Sequence, residues 1–414
     1  MKGVFVIIDG AADEPCSALG QKTPLEAAKT PNLDFLAGKS RIDYCYSVKE
    51  GVAPESSSAV VSLLGYDPNF APRGPLEAKG IGIKLKNGDL AFRCNFGTID
   101  NLDNLNVLDR RAGRTLSTSE ARELAKAINE KVKLQFKFEF YPSIQHRGVL
   151  VIRGGFSDNI SNADPGYSGR GALHSFGGEK LEFSKPLDEE DDSKLAAELV
   201  NSFVRQSYEV LSMHPVNIAR IKKGLFAANV IFCRDAGSTP IKFKKLQGKW
   251  MALAYMPLEI GIAELAGMTT YKFKYPKMRG IDVYGNLYDG LNDAITYAKR
   301  MLWWYKNKYD YFYIHFKETD IPGHDNNPCD KVKMIELLDK RFFSYLKDFI
   351  GRARLVVTAD HTTSCRQKAH TAAPVPVMTY PQEKESRRRF IESDAAKGKK
   401  IMGRNLLKNY FFEK

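Results

Sequence analysis

Short apolar runs rich in β-branched and aromatic residues alternate with longer amphipathic stretches near both ends of the chain. Residues 4–8, 311–316 and 354–358 have the composition of strands that are buried on both faces of a parallel sheet. Apolar residues at helical spacing predict helices at 291–305 and 331–349, before and between the last two strands. This order of strands and helices predicts an α/β fold with a central, mostly parallel sheet flanked by helices.

The middle of the chain has a different pattern, in which glycine-rich turns separate short apolar runs. Strands are predicted there at 90–96, 149–153 and 229–233, together with one long helix at 188–211. This combination of short strands, glycine-rich turns and one long helix is typical of an α+β arrangement rather than of a continuous parallel sheet.

Because the α/β pattern resumes after this middle segment, we predict that one domain is inserted into another. Residues 72–243 are assigned to the smaller, inserted α+β domain. Residues 1–71 and 244–414 are assigned to one discontinuous domain that contains the parallel sheet.

Composition narrows the classes of protein that the chain can belong to. Hydrophobic residues make up 43% and charged residues 27% of the sequence, as in ordinary soluble proteins. No apolar run reaches the 18 residues of a membrane span, and residues 4–8 are too short a run for a signal peptide. We therefore predict a cytoplasmic protein. Its six cysteines are scattered without a C-x-x-C pair, which is typical of reduced thiols.

The net charge of +13 predicts an anionic partner. The basic residues are spread along the chain rather than gathered in one stripe, which argues against nucleic acid. The small anionic, phosphorylated substrate that we expect is implied by the candidate metal ligands and the motifs described below. The sequence leaves open whether the protein forms a homo-oligomer.

Carboxylates and imidazoles follow three of the predicted strands. Asp9 comes directly after the first strand, and Asp320 and His324 follow the second at a spacing of four. Asp360 and His361 follow the end of the third strand, and His370 lies nine positions further on. Such a mixed set of ligands suits Mn²⁺ or Zn²⁺. Two ions close together can clamp the attacking and leaving oxygens of a phosphoryl transfer, so the pattern predicts an enzyme of that kind.

Two further histidines are interpreted differently. His315 lies inside a predicted strand and is expected to be a packed core residue. His146 precedes Arg147 just before a strand of the middle segment, where it could contact substrate or be structural.

Several motifs occur in a characteristic order along nearly the whole chain. They are Ile8-Asp9-Gly10, Lys22-Thr23-Pro24-Leu25-Glu26-Ala27-Ala28, Leu64-Gly65-Tyr66-Asp67-Pro68, Gly74-Pro75-Leu76-Glu77-Ala78, Phe92-Arg93-Cys94-Asn95-Phe96, Lys317-Glu318-Thr319-Asp320, Thr358-Ala359-Asp360-His361 and His370-Thr371-Ala372-Ala373-Pro374. This series resembles the alkaline phosphatase superfamily and, more narrowly, the archaeal-type cofactor-independent phosphoglycerate mutases. The resemblance implies an alkaline-phosphatase-like core and the interconversion of 3-phosphoglycerate and 2-phosphoglycerate, without 2,3-bisphosphoglycerate.

The resemblance also implies how the ligands are shared between two divalent ions. One ion would be held by Asp320, His324 and His370. The other would be held by Asp9, Asp360 and His361 with Ser56 beside it. Mn²⁺ is the expected metal, with Zn²⁺, Co²⁺ and Mg²⁺ as alternatives.

By the same resemblance, Ser56 is the nucleophile that carries the phosphoryl group. The family usually shows Gly-Ser-Asp-Thr-Ala-His at this point, whereas this chain has Glu55, Ser57, Ser58 and Val60 in place of Gly, Asp, Thr and His. The reading that competes with a nucleophile is a cluster of serines that caps the following helix.

The substrate-binding residues are expected among the basic side chains of the inserted domain. Arginine binds phosphates and carboxylates bidentately, and the candidates are Arg110, Arg111, Arg114, His146, Arg147 and Arg234. The resemblance implies that Lys317 contacts the phosphoryl group, and Asp164 could be the acid and base for the glycerate hydroxyls. A phosphomonoesterase, another phosphomutase, a homoserine kinase and a non-catalytic binding protein remain as alternatives.

Overall fold

The computed structural model of the protein describes residues 1–167, 180–382 and 385–412. Its strands, in chain order, are β1 (Gly3–Ile8), β2 (Arg41–Tyr46), β3 (Leu90–Ile99), β4 (Val107–Asp109), β5 (Phe138–Pro142), β6 (Arg147–Ile152), β7 (Val230–Gly237), β8 (Trp250–Leu253), β9 (Thr269–Thr270), β10 (Tyr311–Phe316), β11 (Arg354–Thr358), β12 (Thr362–Ser364), β13 (Ala369–Thr371), β14 (Val375–Tyr380) and β15 (Lys400–Met402). Its α-helices are α1 (Pro24–Ala27), α2 (Pro31–Gly38), α3 (Ser56–Leu63), α4 (Arg73–Gly80), α5 (Thr118–Lys131), α6 (Asp191–Ser212), α7 (Pro215–Lys222), α8 (Pro257–Leu265), α9 (Val283–Tyr305), α10 (Asp320–His324), α11 (Pro328–Leu338), α12 (Ser344–Phe349) and α13 (Glu392–Ala395).

The larger sheet has the strand order β15-β2-β14-β11-β1-β10-β8-β9. Its centre, β11-β1-β10-β8, is parallel, whereas β14 runs antiparallel to both of its neighbours. Every residue of β1 is buried, as expected for a strand covered by helices on both faces. The predicted α/β class with a mostly parallel central sheet is confirmed.

A second, antiparallel sheet is built from β3 to β7. It has its own hydrophobic core with α5 and α6, formed between residues 90 and 233, whereas the core around the larger sheet draws on residues before 77 and after 249. The domain limits at 72 and 243 stay a prediction.

Helix α4 joins the two parts by crossing α8 at a point where both helices carry glycine. A Cβ added at Gly80 would lie 1.8 Å from the carbonyl oxygen of Pro257, and one added at Gly261 would lie 1.9 Å from that of Leu76. Only glycine allows these backbones to approach so closely. The contact fixes the second sheet beside the carboxyl ends of the first.

Most of the predicted elements are present, with shifted ends. The helix predicted at 291–305 begins at Val283, because Asp282 caps it by accepting a hydrogen bond from the backbone of Gly285. No helix among the described residues is both long enough and apolar enough to cross a membrane.

Candidate active site

The candidate ligands meet because the strands that carry them are neighbours. In the parallel register of the sheet, Ile8 pairs with Phe316 and Ile7 pairs with Thr358, so β1, β10 and β11 end at the same edge. Asp9 follows β1, and Asp360 follows β11. Helix α10, which starts at Asp320 and ends at His324, comes shortly after β10. The hairpin β12-β13 brings His370 over the same edge.

The structure brings all six predicted ligands together in two adjoining groups. In one, Nε2 of His361 lies 3.4 Å from Oδ1 of Asp9 and 3.3 Å from Oδ2 of Asp360. In the other, Nε2 of His324 lies 3.3 Å from Oδ2 of Asp320 and 3.2 Å from Nε2 of His370. The His361 and His370 rings stack with their centroids 3.6 Å apart, so the two groups share a boundary.

Backbone carbonyls orient two of the imidazoles toward each other. Nδ1 of His370 lies 2.8 Å from the carbonyl oxygen of Pro54, and Nδ1 of His324 lies 3.0 Å from that of Lys368. A carbonyl oxygen can only accept, so in the neutral rings both Nδ1 atoms carry the proton. Two unprotonated Nε2 atoms then face each other at 3.2 Å, an arrangement that a shared cation would stabilise.

The group of Asp9, Asp360 and His361 also has carboxylate oxygens that are free to coordinate a metal ion. Among the described residues, Oδ1 of Asp9 and Oδ2 of Asp360 accept no hydrogen bond although both side chains are fully buried. Burial lowers the pKa of His361 to about 3, so this imidazole is neutral and can act as a ligand. Buried carboxylates beside neutral imidazoles fit divalent cations well.

Ser56 is the first residue of α3, with Glu55 at its N-cap. Its Oγ lies 3.1 Å from Nε2 of His361, so the hydroxyl group is next to the ligand cluster. The free backbone N–H groups at the start of a helix favour an anion, which suits a phosphoryl group at this position.

A cavity lies between the two sheets, and Ser56 lines its wall together with several ligands. The side facing the second sheet is strongly basic, since its arginines are Arg73, Arg93, Arg111, Arg114, Arg147 and Arg234. Burial, with a further contribution from nearby arginines, lowers the pKa of Arg111 to about 10. Confined cations of this kind attract an anionic ligand.

The arginines differ in whether a carboxylate already neutralises them. Arg114 contacts Asp325 at 2.6 Å, and Arg234 contacts Asp235 at 3.0 Å. Within the part of the chain that the structure describes, neither Arg111 nor Arg147 pairs with a carboxylate. These two therefore offer the cavity positive charge that is not held in a direct ion pair, although Glu77 and Glu259 act on Arg147 at longer range.

Two predicted substrate residues lie away from the cavity wall. Arg110 and Asp164 pair with each other at 2.6 Å, and the ring of Tyr167 covers both Arg110 and Arg234. Arg110 donates to Oδ1 of Asp164, and the Asp164 side chain is only 1% exposed. The structure therefore does not bring Asp164 or Arg110 to the wall, and their roles stay predictions. His146 does line the cavity.

Three buried side chains lie near Asp9: Lys317, which is among the predicted site residues, and Glu259 and His315, which are not. Lys317 contacts the Asp9 carboxylate and lies 3.0 Å from Oε1 of Glu259, a residue of α8. Burial raises the pKa of Glu259 to about 8. His315 is buried as expected, but its Nε2 lies 3.3 Å from Oδ2 of Asp9, so it adjoins the ligand cluster rather than packing only in the core. No local pattern around Glu259 indicates this position.

Buried Lys331 connects the loops behind the ligands through its side-chain contacts. Nζ of Lys331 lies 2.7 Å from Oδ2 of Asp13, and it also donates to the carbonyl oxygens of Ala12 and Thr363. Removal of one partner of a buried ion pair leaves the other charge uncompensated.

We expect Lys331→Met to lower the free energy of unfolding by about 3–5 kcal/mol, because Asp13 would stay buried without its partner. Lys333→Met is the control, since Lys333 is exposed and its 3.5 Å contact with Asp330 lies at the surface. Loss of this surface contact should lower the free energy of unfolding by less than about 1 kcal/mol. Urea denaturation of both variants measures the difference, and equal effects would contradict a stabilising role for the buried Lys331–Asp13 pair.

The parallel sheet, the carboxylates and imidazoles at its edge, the adjacent serine and the basic cavity define a class of enzyme. Metal-dependent enzymes that transfer phosphoryl groups have these parts.

Comparison with known proteins gives the family. The model of the family described as 2,3-bisphosphoglycerate-independent phosphoglycerate mutase matches residues 37–217. The protein of that name from Methanosphaera stadtmanae is 41% identical over 91% of this chain and 88% of its own length. The one from Aeropyrum pernix is 40% identical over 91% of this chain and 90% of its own. The chain belongs to this family.

Solved structures agree with that assignment. A Pyrococcus horikoshii protein is 27% identical and matches with a TM-score of 0.73, over 99% of this chain and 96% of its own. The cofactor-independent phosphoglycerate mutase of Thermoplasma acidophilum is also 27% identical and matches with a TM-score of 0.54, over 99% of this chain and 98% of its own.

Proposed function

We propose that the protein interconverts 3-phosphoglycerate and 2-phosphoglycerate through a phosphoserine at Ser56. The observation that carries the proposal is the position of the Ser56 hydroxyl group. It faces the ligand cluster at His361 and lines the arginine-rich cavity as well. A nucleophile placed there can take a phosphoryl group from a substrate whose remaining part stays in the cavity.

Two divalent ions belong to this proposal, held by the two groups of ligands described above, and Mn²⁺ is the ion that we expect. Bound there, they would lower the pKa of the Ser56 hydroxyl group and offset the negative charge of the phosphoryl group. Lys317 adds a further positive charge beside Asp9, within reach of the same region.

The reaction conserves the phosphoryl group. Oγ of Ser56 gives up its proton and forms a bond to phosphorus, while the bond to the substrate oxygen breaks and that oxygen takes up a proton, which leaves glycerate in the cavity. Glycerate then turns, and its other hydroxyl oxygen gives up its proton and attacks phosphorus. The bond to Oγ breaks, and Oγ takes a proton back. Arg111 and Arg147 are assigned to the glycerate carboxylate, because neither forms a direct ion pair with a carboxylate among the described residues.

Water must be kept from the phosphoserine, since hydrolysis would release inorganic phosphate. The contact between Arg114 and Asp325 supports this role, because it spans the cavity from the second sheet to the loop that follows His324. It holds the two sides of the cavity together while glycerate turns.

An assay of isomerisation tests the proposal. The metal-free protein is supplied with 3-phosphoglycerate and Mn²⁺, without 2,3-bisphosphoglycerate, and products are followed by ³¹P NMR. We expect 2-phosphoglycerate to form and its formation to require the metal. Release of inorganic phosphate without 2-phosphoglycerate would instead indicate a phosphomonoesterase.

Substitution of Arg147 tests the assignment of the substrate carboxylate. Arg147→Met removes two charge-assisted hydrogen bonds and should raise KM for 3-phosphoglycerate by at least about 100-fold, since two bonds at about 1.5–3 kcal/mol each come to about 3 kcal/mol or more. Arg404→Met is a matched control, because Arg404 is exposed and its contact with Asp67 lies away from the cavity. Initial rates over a range of substrate concentrations measure KM, and an unchanged value for Arg147→Met would contradict the assignment.

A further inference from the structure

Thr363 lies where three ligand-bearing segments meet. It is fully buried in β12, directly opposite His370 in the hairpin register. A Cβ added at Gly10 would lie 2.6 Å from its Oγ1, and one added at Gly323 would lie 2.7 Å from its Cγ2. The side chain is therefore wedged between the residue after Asp9 and the residue before His324. Such packing leaves it one orientation.

The Thr363 hydroxyl group connects the two groups of ligands. Its Oγ1 lies 2.8 Å from Oδ1 of Asp320 and 2.9 Å from Nδ1 of His361. Asp320 belongs to the group with His324 and His370, whereas His361 belongs to the group with Asp9 and Asp360. One hydroxyl group thus touches a ligand of each.

The donors and acceptors in this bridge are fixed by elementary chemistry. A carboxylate can only accept, so the single hydroxyl proton of Thr363 is donated to Asp320. Oγ1 must then accept from Nδ1 of His361, which places the ring proton on Nδ1. Nε2 of His361 is left unprotonated, and it faces Asp9, Asp360 and Ser56. The hydroxyl group therefore selects the tautomer in which His361 can act as a ligand.

We propose that Thr363 is a positioning residue shared by both metal sites: its hydroxyl group sets the tautomer of His361 and the orientation of the Asp320 carboxylate together. This inference rests on the two-ion site of the proposed function. Loss of the hydroxyl group leaves the Nδ1 proton of His361 without an acceptor and one Asp320 oxygen without a donor. Both groups of ligands then lose their preorganised geometry, which distinguishes Thr363 from a residue that supports only one ion.

The decisive variant is Thr363→Val, which keeps the shape of the side chain and removes the hydroxyl group. We expect the affinity for each of the two Mn²⁺ ions to fall about tenfold or more, as is common when a residue behind a ligand is lost. Thr363→Ser retains the hydroxyl group and should restore the affinity. Thr362→Val is the matched control, because the neighbouring Thr362 hydroxyl group donates to the carbonyl oxygen of Ala373 at 3.1 Å and contacts no ligand.

Isothermal titration of each metal-free protein with Mn²⁺ gives both affinities. If Thr363→Val binds both ions as the unchanged protein does, the proposal is wrong. It is equally wrong if only one ion is weakened, or if Thr362→Val has the same effect. Thermal unfolding of the metal-free variants shows whether each one is folded.

A second measurement needs no metal. In ¹⁵N-edited spectra of the metal-free protein, the proton of His361 should lie on Nδ1, and Thr363→Val should give a mixture of tautomers. An unchanged tautomer in that variant would overturn the proposal. If the unchanged protein binds no Mn²⁺, the two-ion site of the proposed function fails, whereas the spectra still test the role of Thr363.

Discussion

Replacement of Ser56 by alanine is expected to lower turnover of 3-phosphoglycerate by at least about 10⁴-fold, because covalent catalysis loses its nucleophile. Ser56 is buried at the start of α3, where its side chain caps nothing and its Oγ faces His361. The fold and the binding of Mn²⁺ by the remaining ligands should survive. Stopped assays with high enzyme concentration measure the residual rate.

Ser58→Ala is the control for this experiment. Ser58 lies in the same turn of α3 but does not line the cavity, and its hydroxyl group donates to the carbonyl oxygen of Glu55. The Ser58→Ala variant should turn over 3-phosphoglycerate at close to the normal rate. Full mutase activity in Ser56→Ala would show that another group carries the phosphoryl, and loss of activity in both variants would indicate damage to the helix instead.

Removal of the negative charge of Asp360 should have the next largest effect on turnover. Asp360→Asn keeps the size of the side chain, and the remaining carbonyl oxygen can still accept hydrogen bonds from the backbones of Gly10 and His361, at 3.0 and 3.1 Å. The change removes one buried charge beside Asp9. We expect the protein to lose one tightly bound Mn²⁺ and turnover to fall by at least about 10³-fold.

Metal content measured by mass spectrometry after dialysis, together with turnover at saturating Mn²⁺, checks both parts of this prediction. Asp348→Asn on the exposed face of α12 is the control and should change neither quantity. Full metal content in Asp360→Asn would remove Asp360 from the ligand set.

The sheet and the ligand cluster could be predicted because their signals are local. A buried parallel strand is a short apolar run, and the residue that follows its carboxyl end lies at the sheet edge whatever the rest of the chain does. Asp9 and Asp360 are placed by this rule. His370 could be placed only through its motif, because the β12-β13 hairpin that brings it over the edge is short and lacks a distinctive pattern.

The cavity wall was harder to predict, because it depends on contacts between distant segments. Arg93 lies in an apolar strand, where a buried charge is a usable signal, but its partner Glu77 is on α4. Glu259 and Thr363 have ordinary local surroundings, and their importance arises only where α8 and β12 meet the ligands. The pairing of Arg110 with Asp164 likewise depends on tertiary structure.

Two residues near Ser56, Glu55 and Val60, differ from the family pattern, and the structure shows what each of them contacts. Glu55 replaces the usual glycine, lies buried at the N-cap of α3, and its Oε2 is 3.6 Å from Nη1 of Arg73. The substitution therefore adds a carboxylate to the basic wall instead of blocking the serine. Val60 is buried within α3 and belongs to the core of the larger sheet. Neither change moves the Ser56 hydroxyl group away from His361.

Trapping the phosphoenzyme tests transfer through Ser56 most directly. The protein with Mn²⁺ is mixed with 3-phosphoglycerate, quenched in acid within milliseconds, digested and analysed by tandem mass spectrometry. Transfer through Ser56 should place phosphate on Ser56 in the unchanged protein and none in Ser56→Ala. Phosphate on another residue, or isomerisation without any phosphorylated peptide, would contradict transfer through Ser56.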